Sequence, residues 1–585
     1  MLVFDIETRV HGKIDPKTDE LRFIGLYEIE EDKTHFLTIG EQDKIQALFN
    51  KHKIIISYNG INYDMPILNR YGIGHRGTHI DLYQVIKKRK QYLGIKSTSN
   101  SMSNIAKALK LDDKKIDDFD YDILKKESYT AQEIAYIKKY TLQDVKVTTE
   151  IYKRVEEFFK PLKEYMSAYD QHTMKWITSS IASYAYKVIC HQTGIEELYS
   201  DNREVTSYEG GHVIEPIREE DHGTIICFDY ASLYPNIYFS CNLFSHSCKC
   251  CNKEEKWTGD GFFKVKGSYC KKKLGTIEKL LKTFYEQRKE YKSVGDKREY
   301  ALKIIMNSIY GASGSPIFKS LYNYNTASDC TSIARTCVQE AIRMFNEAGH
   351  EVLYGDTDSC YVKTRNKTKA VETANNIVKH LTSHMPIPNE HFELKIDDEI
   401  KHMWFTSTGD KLNKKTYIYV TTKGKVVIKG LAMIKSDSSK IGMHVFNKYM
   451  KELVSTGNIK FKYNVIKRWV DTELKNNLDL CIRTFKTKPL EEYKSESQLQ
   501  AQISKKYGPG VHYLITNNQY GVGKGKKYCT VKEYEEQGLT TDAIDLTKFW
   551  SEMEMFIKDK PEHFNKTNKT HKNKKEEASL LQWFA

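Results

Sequence analysis

The sequence predicts a multidomain chain that combines α/β and α+β parts. Its 585 residues correspond to roughly three to four domains of about 150 residues each. Residues 1–150 mix short β-branched runs with helical patterns, which indicates an α/β unit. The remainder adds a strand near residues 224–232, two long basic helices over 276–312 and an apolar hairpin over 351–363.

In the first part, LVFDIET, RFIGLYEI and KIIISYNG predict strands, and the segment from ESYTAQE to VEEFF predicts a long helix. Residues 160–220 are expected to form a connecting region. The hairpin has a Gly-Asp-Thr-Asp turn between two apolar arms. Residues 440–560 are predicted to be mostly helical, and the charged, low-complexity segment that follows predicts a disordered tail.

Composition narrows the classes of function. The formal net charge of +14 favours an anionic partner such as a nucleic-acid backbone, although a lysine-rich enzyme of another kind would also have it. Twelve cysteines are scattered irregularly, and the first residues lack the pattern of a signal peptide. No apolar run of about 18 residues is present. We therefore expect a cytoplasmic, non-secreted protein with reduced thiols and no membrane span.

A first set of acids is expected to converge on one site. Asp5 and Glu7 are two apart on a predicted strand and share its face. Asp64 follows the next strand, and Tyr140 and Asp144 are four apart on the predicted helix. Four carboxylates at one place repel one another unless cations lie between them. Hard oxygen ligands suit Mg²⁺ or Mn²⁺, and a pair of such ions supports phosphodiester hydrolysis, with Tyr140 orienting the water. Any one of these acids alone would be an ordinary surface residue.

A second set of acids predicts phosphoryl transfer. Asp229 ends a predicted strand, while Asp356 and Asp358 lie in the hairpin turn. A strand end and a tight turn can approach closely around a second pair of metal ions. One ion would lower the pKa of a primer 3′-hydroxyl and the other would neutralise a triphosphate.

The two basic helices would complete this second site. Arg288 and Lys292 are four apart, and Lys303, Asn307 and Tyr310 fall on one face of the next helix. Two cationic stripes that face one pocket would grip a triphosphate, with Asn307 and Tyr310 towards the base. The alternative is a solvated helix face, which is the common role of Lys and Arg runs.

Taken in order, these motifs make the chain resemble a family B DNA polymerase over nearly its whole length. D-x-E, N-x3-Y-D and Y-x3-D are similar to the motifs of DnaQ-like proofreading exonucleases. The polymerase motifs that it resembles are YEGG at 208–211, DYASLYP at 229–235, K-x3-NSIYG at 303–311, YGDTDS at 354–359 and KKTY at 414–417.

The resemblance implies a role for each matching position. Asp229 and Asp358 would be the main polymerase metal ligands, with Asp356 in support. The exonuclease ligands would be Asp5, Glu7, Asp64 and Asp144. The nucleotide-binding residues would be Ser232, Leu233, Tyr234, Arg288, Lys292, Lys303, Asn307 and Tyr310, with Tyr234 as the gate that rejects a 2′-hydroxyl. The DNA-binding residues would be Tyr208, Gly210, Gly211, Gly311, Thr357, Lys414, Lys415 and Tyr417.

The resemblance also implies the domains: an RNase H-like 3′→5′ exonuclease beside a right-hand polymerase of palm, fingers and thumb. Their expected bounds are 1–160 for the exonuclease, 161–222 for the linker and start of the palm, 223–275 for the palm with the first polymerase acid, 276–315 for the fingers, 316–435 for the rest of the palm, 436–558 for a helical thumb and 559–585 for a basic tail.

The expected activity is template-directed extension of a primer with dNTPs, with proofreading, by a monomer that binds primer–template DNA and uses two Mg²⁺ or Mn²⁺ ions per active site. A protein-primed or primer-independent replicase of a virus or mobile element is the alternative. The intervals from Asp229 to Arg288 and from Asn307 to Asp356 leave no obvious room for its palm and finger insertions. A degenerate structural subunit would have lost acids, and a mere DNA-binding protein predicts no acid clusters.

The C-terminal residues predict a partner. Leu580, Trp583 and Phe584 would form a hydrophobic plug on one helical turn at the end of a basic tether. This segment resembles a peptide that binds a sliding clamp. The alternative is a segment that folds back onto its own thumb.

Four cysteines near residue 250 leave a zinc site open. Cys248 and Cys251 have the C-x2-C spacing, Cys270 lies farther on, and either His246 or Cys250 could be the fourth ligand. Because only one cysteine follows the C-x2-C pair where a second pair would be needed, the sequence favours free thiols over structural Zn²⁺.

Overall fold

The computed structural model describes residues 1–559 with short gaps. The gaps are 11–13, 91–92, 96, 98, 114, 117, 202–203, 205–206, 297, 409, 432–438 and 494, and the side chains of residues 253 and 486 are also left out. The predicted clamp-binding residues Leu580, Trp583 and Phe584 therefore lie outside the described residues, as does the rest of the tail from residue 560.

The chain divides into two compact units. The first unit comprises Met1–Gly211, Tyr230–Cys337 and Val378–Glu393. The second comprises His212–Asp229, Val338–Ile377 and Leu394–Ala585. Each unit is described separately below.

Fourteen strands and eighteen α-helices are labelled in chain order among the described residues. The strands are β1 Leu2–Arg9, β2 Glu20–Glu28, β3 Lys33–Thr38, β4 Ile54–Ser57, β5 Thr78–Asp81, β6 Glu220–Tyr230, β7 Glu351–Asp356, β8 Ser359–Lys363, β9 Leu394–Thr408, β10 Lys411–Thr421, β11 Val426–Lys429, β12 Ile482–Thr487, β13 Gly510–Asn517 and β14 Lys527–Cys529. The helices are α1 Gln42–Lys51, α2 Asp64–Arg70, α3 Leu82–Arg89, α4 Met102–Ala108, α5 Ala131–Lys163, α6 Ala168–Thr173, α7 Ile181–Thr193, α8 Leu233–Cys241, α9 Thr276–Ser293, α10 Arg298–Ser313, α11 Tyr324–Glu347, α12 Lys367–Ser383, α13 Lys440–Val445, α14 Lys451–Ser455, α15 Tyr463–Asn476, α16 Leu499–Tyr507, α17 Val531–Glu536 and α18 Thr547–Met553.

The first unit contains a five-stranded sheet in the order β3-β2-β1-β4-β5. β1 pairs antiparallel with β2 and parallel with β4, so the strand that carries Asp5 and Glu7 is central. Helix α5 packs against β1 and β2. Gly25 on β2 permits this approach, because a Cβ there would lie 2.9 Å from Cγ2 of Thr141.

The first unit also contains the two basic helices that the sequence predicted. α9 and α10 match the two helices expected over 276–312, and both pack against α7. The expected connecting region at 160–220 is more ordered than predicted, because it contains α6 and α7. Helix α7 buries Tyr184, Tyr186 and Val188, which gives it a place in the core.

The second unit is built on a six-stranded sheet in the order β11-β10-β9-β6-β8-β7. The predicted hairpin is confirmed as β7 and β8, with Thr357 and Asp358 in the turn. Strand β8 is flanked by β7 and β6, and both pairs are antiparallel. The β6 strand is buried through Ile225–Phe228, which fixes its end at Asp229 and Tyr230.

Residues 440–560 were predicted to be mostly helical, and the prediction of a sheet among these helices was missing. Helices α13–α18 are present, but β12, β13 and β14 form a three-stranded antiparallel sheet among them. Strand β13 is rich in β-branched and aromatic residues, which favour a pleated surface. Its partner β12 lies more than twenty residues earlier in the chain, so local periodicity did not reveal the pairing.

Among the described residues, none of the helices combines the length and the apolar character that crossing a bilayer requires.

Candidate metal centres and nucleotide-binding residues

The first unit brings four predicted exonuclease acids to one place. Asp5 and Glu7 lie on one face of β1, where they pair with Gly25 and Phe23 of β2. Asp64 is the first residue of α2, and Asp144 lies on the buried face of α5. Glu7, Asp64 and Asp144 are all buried, and Asp5 is partly exposed.

The pKa values of these acids show how close their charges are. Burial, followed by the charge of Asp144, raises the pKa of Asp5 to about 7. Burial and the charges of Asp5 and Asp144 raise the pKa of Glu7 well above its ordinary value. The pKa of Asp64 is raised by burial and then by Asp5. The cluster is therefore too crowded with negative charge to be fully ionised at neutral pH without a cation.

The donor set fits a divalent metal ion. Glu7 Oε1 and Asp64 Oδ2 are buried and accept no hydrogen bond from any residue that the structure describes. A buried carboxylate oxygen without a partner is costly. Mg²⁺ and Mn²⁺ bind hard oxygen ligands of this kind.

Sequence reasoning missed Lys115, which lies in this cluster. Its ammonium donates a hydrogen bond to Oδ2 of Asp144. Burial lowers the pKa of Lys115, but Asp144 outweighs that effect and the pKa is raised. Its charge also lowers the pKa values of Asp5 and Glu7. No periodic pattern distinguishes Lys115 from the surrounding lysines and aspartates, so its position could not be predicted.

The ring of Tyr140 contacts Phe119 and Lys115, which places Tyr140 beside the acids. The ring stacks on Phe119 with centroids 3.8 Å apart, and its hydroxyl is 2.6 Å from the hydroxyl of Tyr121. The ammonium of Lys115 lies 5.2 Å from the centroid of the same ring. Because Tyr121 already engages the hydroxyl, the water-orienting role of Tyr140 stays a prediction.

The second unit brings together the three predicted polymerase acids. Asp229 on β6 and Asp356 on β7 are both in register with Ser359 of β8. The two aspartates therefore lie in one row across three strands, roughly 10 Å apart between Cα atoms at about 4.8 Å per strand. Asp358 follows Thr357, whose φ of 60° is the left-handed conformation that makes the turn.

Burial and mutual repulsion act on this second cluster as well. Burial raises the pKa of Asp229 to about 7, with further contributions from Asp358 and Asp397. Burial and then Asp356 raise the pKa of Asp358 to about 6. Lys429 on β11 opposes both shifts. Asp397 on β9 was missed by the sequence reasoning, although the acidic run at 397–399 was a visible signal.

Lys415 is tied to this acid cluster. Its ammonium forms an ion pair with Asp356 and lies 3.1 Å from Oγ1 of Thr357. Its backbone N–H donates to the hydroxyl of Tyr354 at 2.8 Å. Lys415 was predicted to bind DNA, and that role stays a prediction. In this arrangement its charge neutralises that of Asp356 and lowers the pKa of Asp358.

The other two residues of the KKTY segment differ in exposure. Lys414 is exposed, and its ammonium donates to the carbonyl oxygen of Val213 at 3.0 Å. The side chain of Tyr417 is buried, and its hydroxyl is 2.8 Å from that of Tyr361. Tyr417 also packs against Tyr354. Tyr354 thus contacts both the ring of Tyr417 and the backbone of Lys415, while direct contact of Tyr417 with DNA stays a prediction.

The predicted nucleotide-binding residues from 232 onward lie in the first unit. Arg288 donates to Oγ of Ser232 at 3.2 Å, and its Nε lies 3.3 Å from Glu299. Ser232 has a φ of 52° and precedes α8. The structure thus joins the serine after the first polymerase acid to the basic helix α9.

The remaining predicted nucleotide contacts form two groups. Lys303 and Asn307 are exposed on one face of α10, and Lys292 is exposed near the end of α9. The rings of Tyr234 and Tyr310 lie 4.9 Å apart. Leu233 is buried, and its predicted contact with the nucleotide stays a prediction.

The YEGG segment is held within the first unit. The ring of Tyr208 packs edge to face against that of Tyr310, with centroids 6.4 Å apart, and Arg335 donates to the carbonyl oxygen of Gly210 at 2.8 Å. Gly314 leaves room for this contact, because a Cβ there would lie 2.6 Å from the Tyr208 hydroxyl. Gly211 ends the first segment of this unit, and Gly311 lies on α10 beside Tyr310.

Two family models match the chain. The model described as DNA polymerase family B matches residues 186–557. The model described as the RNase_H superfamily matches residues 2–156. The two matches confirm the predicted combination of an RNase H-like domain with a polymerase domain.

Relatives and solved structures agree with these matches. A DNA polymerase of Pyrococcus glycovorans is 25% identical over 502 residues, which cover 76% of this chain and 61% of that protein. A DNA polymerase of Archaeoglobus fulgidus is 27% identical over 270 residues, 45% of this chain and 32% of that protein. The structure of a family B DNA polymerase from Pyrobaculum calidifontis aligns with a TM-score of 0.56 at 18% identity and covers 95% of this chain and 77% of that one. The chain thus spans between about one third and three fifths of the curated relatives that it matches first.

Proposed function

The chain belongs to DNA polymerase family B, and we propose that it extends a primer 3′ end with dNTPs under the direction of a template and proofreads with its RNase H-like domain. The observation that carries this proposal is the pair of acid clusters. One is built on β1, α2 and α5, and the other on β6 and the β7–β8 turn. Neither cluster can be fully ionised at neutral pH without cations.

The polymerase centre would bind two Mg²⁺ or Mn²⁺ ions through Asp229 and Asp358. Such a pair lowers the pKa of the primer 3′-hydroxyl and neutralises the triphosphate. Asp356 supports the centre through its ion pair with Lys415, which reduces the repulsion on Asp358. Arg288, Lys292 and Lys303 would hold the triphosphate. The Ser232 contact fixes the guanidinium of Arg288 for that task.

Base and sugar selection would depend on the tyrosine pair. Tyr234 would reject a 2′-hydroxyl, and Tyr310 holds its ring at 4.9 Å. Asn307 would face the base of the incoming nucleotide. Tyr208, whose ring packs against that of Tyr310, would link this pair to the YEGG segment, which would follow the template.

The exonuclease centre would bind its two ions through Asp5, Glu7, Asp64 and Asp144. A metal pair there activates a water and stabilises the leaving 3′-oxygen. Lys115 holds Asp144 in place and lowers the pKa values of Asp5 and Glu7, which favours the ionised ligands. We assign the exonuclease to residues 1–160 and the polymerase to residues 161–558.

The partners would be primer–template DNA and dNTPs, bound by a monomer. The excess of basic residues over acidic ones, +14, favours the phosphate backbone. A sliding clamp would bind Leu580, Trp583 and Phe584 and raise processivity by tethering. All twelve cysteines are free thiols, which suits a reducing cytoplasm.

One labelled primer–template tests the proposal. With dNTPs and Mg²⁺ the primer should lengthen to the end of the template, and without dNTPs it should shorten from its 3′ end. Failure of extension on a recessed 3′ end, with the exonuclease active, would contradict the polymerase assignment.

Two variants separate the centres. Asp358→Ala should abolish incorporation and leave 3′-end shortening largely intact, because its cluster lies on the second sheet. Asp5→Ala should do the reverse. Asp122→Ala, an exposed acid paired with Lys125, is the matched control and should change neither activity. If both activities fell together in Asp358→Ala or in Asp5→Ala, the assignment of two independent centres would be wrong.

A further inference from the structure

Four cysteine side chains converge in the segment between α8 and α9. Cys248, Cys250, Cys251 and Cys270 each place a sulfur within 4.8 Å of the others. All four are free thiols, with Cys270 buried and Cys250 exposed. Neither the acid clusters nor the nucleotide-binding residues use them.

The sulfur spacing matches a tetrahedral metal site. Sγ of Cys270 lies 3.3 Å from Sγ of Cys250 and 3.3 Å from Sγ of Cys251, and the last two are 3.8 Å apart. Four thiolates at about 2.3 Å from a zinc ion have sulfur–sulfur edges of about 3.8 Å. A disulfide would need about 2.05 Å. We propose that these four cysteines bind one structural Zn²⁺.

The surroundings of Cys270 suit a thiolate ligand. Lys273 donates its backbone N–H to Sγ of Cys270 at 3.4 Å, an interaction that holds the sulfur as an acceptor and orients it. The Cys270 backbone N–H is itself fixed by Oγ of Ser245 at 2.8 Å. A zinc ion with four thiolates carries a net charge of about −2. The basic run at 271–273 and Lys249 offset that charge.

The structure also selects the fourth ligand. The sequence left His246 and Cys250 as alternatives and favoured free thiols. The sulfur of Cys250 lies within 4.8 Å of the other three sulfur atoms, whereas His246 does not belong to this cluster. Four soft sulfur ligands in closed tetrahedral geometry favour a structural zinc ion over a hard cation such as Mg²⁺.

The site would fix the start of α9. Asn242 is fully buried, and its amide donates to the carbonyl oxygens of Cys270 and Lys273 at 2.8 and 2.9 Å. Its Oδ1 accepts the backbone N–H of Gly275 at 2.9 Å, the residue before α9. The metal would therefore hold Cys270, Asn242 and the first turn of α9 as one unit.

Packing and hydrogen bonds anchor the later part of the segment: Trp257 and Tyr269 are buried, and Asp329 accepts from the backbone N–H groups of Lys266 and Gly267 at 2.8 and 2.7 Å. One antiparallel bridge joins Trp257 to Tyr269, with backbone hydrogen bonds of 2.7 and 2.9 Å. Between α8 and α9 the described residues form only short 3₁₀ turns and no α-helix. A metal ion that joins Cys248, Cys250 and Cys251 to Cys270 would close the loop between them and add to these contacts.

The metal content of the full-length protein tests the proposal directly. The protein is expressed in zinc-containing medium and purified under reducing conditions without chelator. Inductively coupled plasma mass spectrometry should then find about one zinc ion per chain. Replacement with Co²⁺ should give the strong charge-transfer absorption of cobalt–thiolate bonds and the visible bands of tetrahedral cobalt. Both results are measured on the unaltered chain, so they do not depend on the folding of a variant.

Serine variants locate the site. Cys250→Ser and Cys270→Ser should each lose most of the zinc and the cobalt absorption. Cys481→Ser replaces a partly buried cysteine outside the cluster and should keep both. Zinc below about one tenth per chain, iron in its place, or a disulfide among the four cysteines would overturn the proposal. Loss of zinc in Cys481→Ser alone would overturn the location of the site.

Discussion

Divalent-metal affinity at the polymerase acid cluster should rise steeply between pH 6 and pH 8. Metal ligands must be deprotonated, so protons compete with the ion. The pKa of Asp229 is raised to about 7 and that of Asp358 to about 6. Asp229, nearly neutral at pH 6, and Asp358, about half ionised there, thus become a pair of ionised carboxylates at pH 8.

The expected change follows from those two values. Asp229 would be about 9% ionised at pH 6 and about 91% at pH 8, and Asp358 about 50% and about 99%. The fraction with both groups ionised therefore rises about 20-fold, and the apparent Kd for the ion should fall by about that factor. Without metal, both pKa values exceed those of the unfolded chain. The pair thus lowers stability progressively as pH rises from about 4 to about 7, and bound metal removes this cost.

The assay is Mn²⁺ binding, followed by the electron paramagnetic resonance of the free ion. Asp5→Ala removes a ligand of the exonuclease centre, so the remaining sites can be titrated at pH 6, 7 and 8. Lys429→Met should weaken binding at pH 6, because Lys429 lowers the pKa values of Asp229 and Asp358. Lys423→Met is the matched control, an exposed lysine near the same strand, and should leave binding unchanged.

An apparent Kd that stays constant from pH 6 to pH 8 would refute the reasoning. So would an equal effect of Lys429→Met and Lys423→Met, because the argument depends on the position of one charge. Asp358→Asn should weaken binding and reduce the pH dependence to at most about tenfold, since only one titrating ligand remains.

Three further outcomes are expected. Lys115→Met should lower exonuclease kcat about tenfold and move the acid limb of its pH profile to higher pH, because Lys115 lowers the pKa values of Asp5 and Glu7. The control Lys146→Met replaces an exposed lysine on α5 and should change neither kcat nor the pH profile. An acid limb that stays in place in Lys115→Met would contradict the role of Lys115. Tyr234→Ala should raise ribonucleotide incorporation relative to deoxynucleotides by about tenfold or more, measured by single-nucleotide insertion; an unchanged ratio would remove Tyr234 as the gate. Deletion of residues 577–585 should leave distributive synthesis unchanged and remove clamp stimulation, and equal stimulation of the truncated chain would refute the clamp peptide.

Sequence spacing alone predicted which of the predicted exonuclease acids share a face of a strand or a helix. Residues that are two apart on a strand, or four apart on a helix, lie on the same face regardless of how the rest of the chain folds. Asp5 with Glu7, and Tyr140 with Asp144, follow that rule in the structure. The hairpin that carries Asp356 and Asp358 was predictable for a similar reason, because a short polar turn between apolar arms specifies its own pairing.

The charged neighbours of these acids could not be predicted from spacing. Lys115 reaches Asp144 across 29 positions, and Lys415 reaches Asp356 across 59. Each sits in a polar stretch that resembles a solvated surface. Only the packing of α5 against β1, and the order of strands in the second sheet, determines which lysine lies beside which carboxylate.

The sequence by itself determined the two sets of acids predicted to bind metal, the strands and helix that carry them, the basic helices α9 and α10 and the family resemblance. These features depend on residue type and on intervals of a few residues. The tertiary structure alone decided the sheet β12–β13–β14, the cations that face the acids and the choice of Cys250 as the fourth sulfur. Those features join residues that are distant in the chain. Strand order and burial select such partners, and neither can be read from local periodicity.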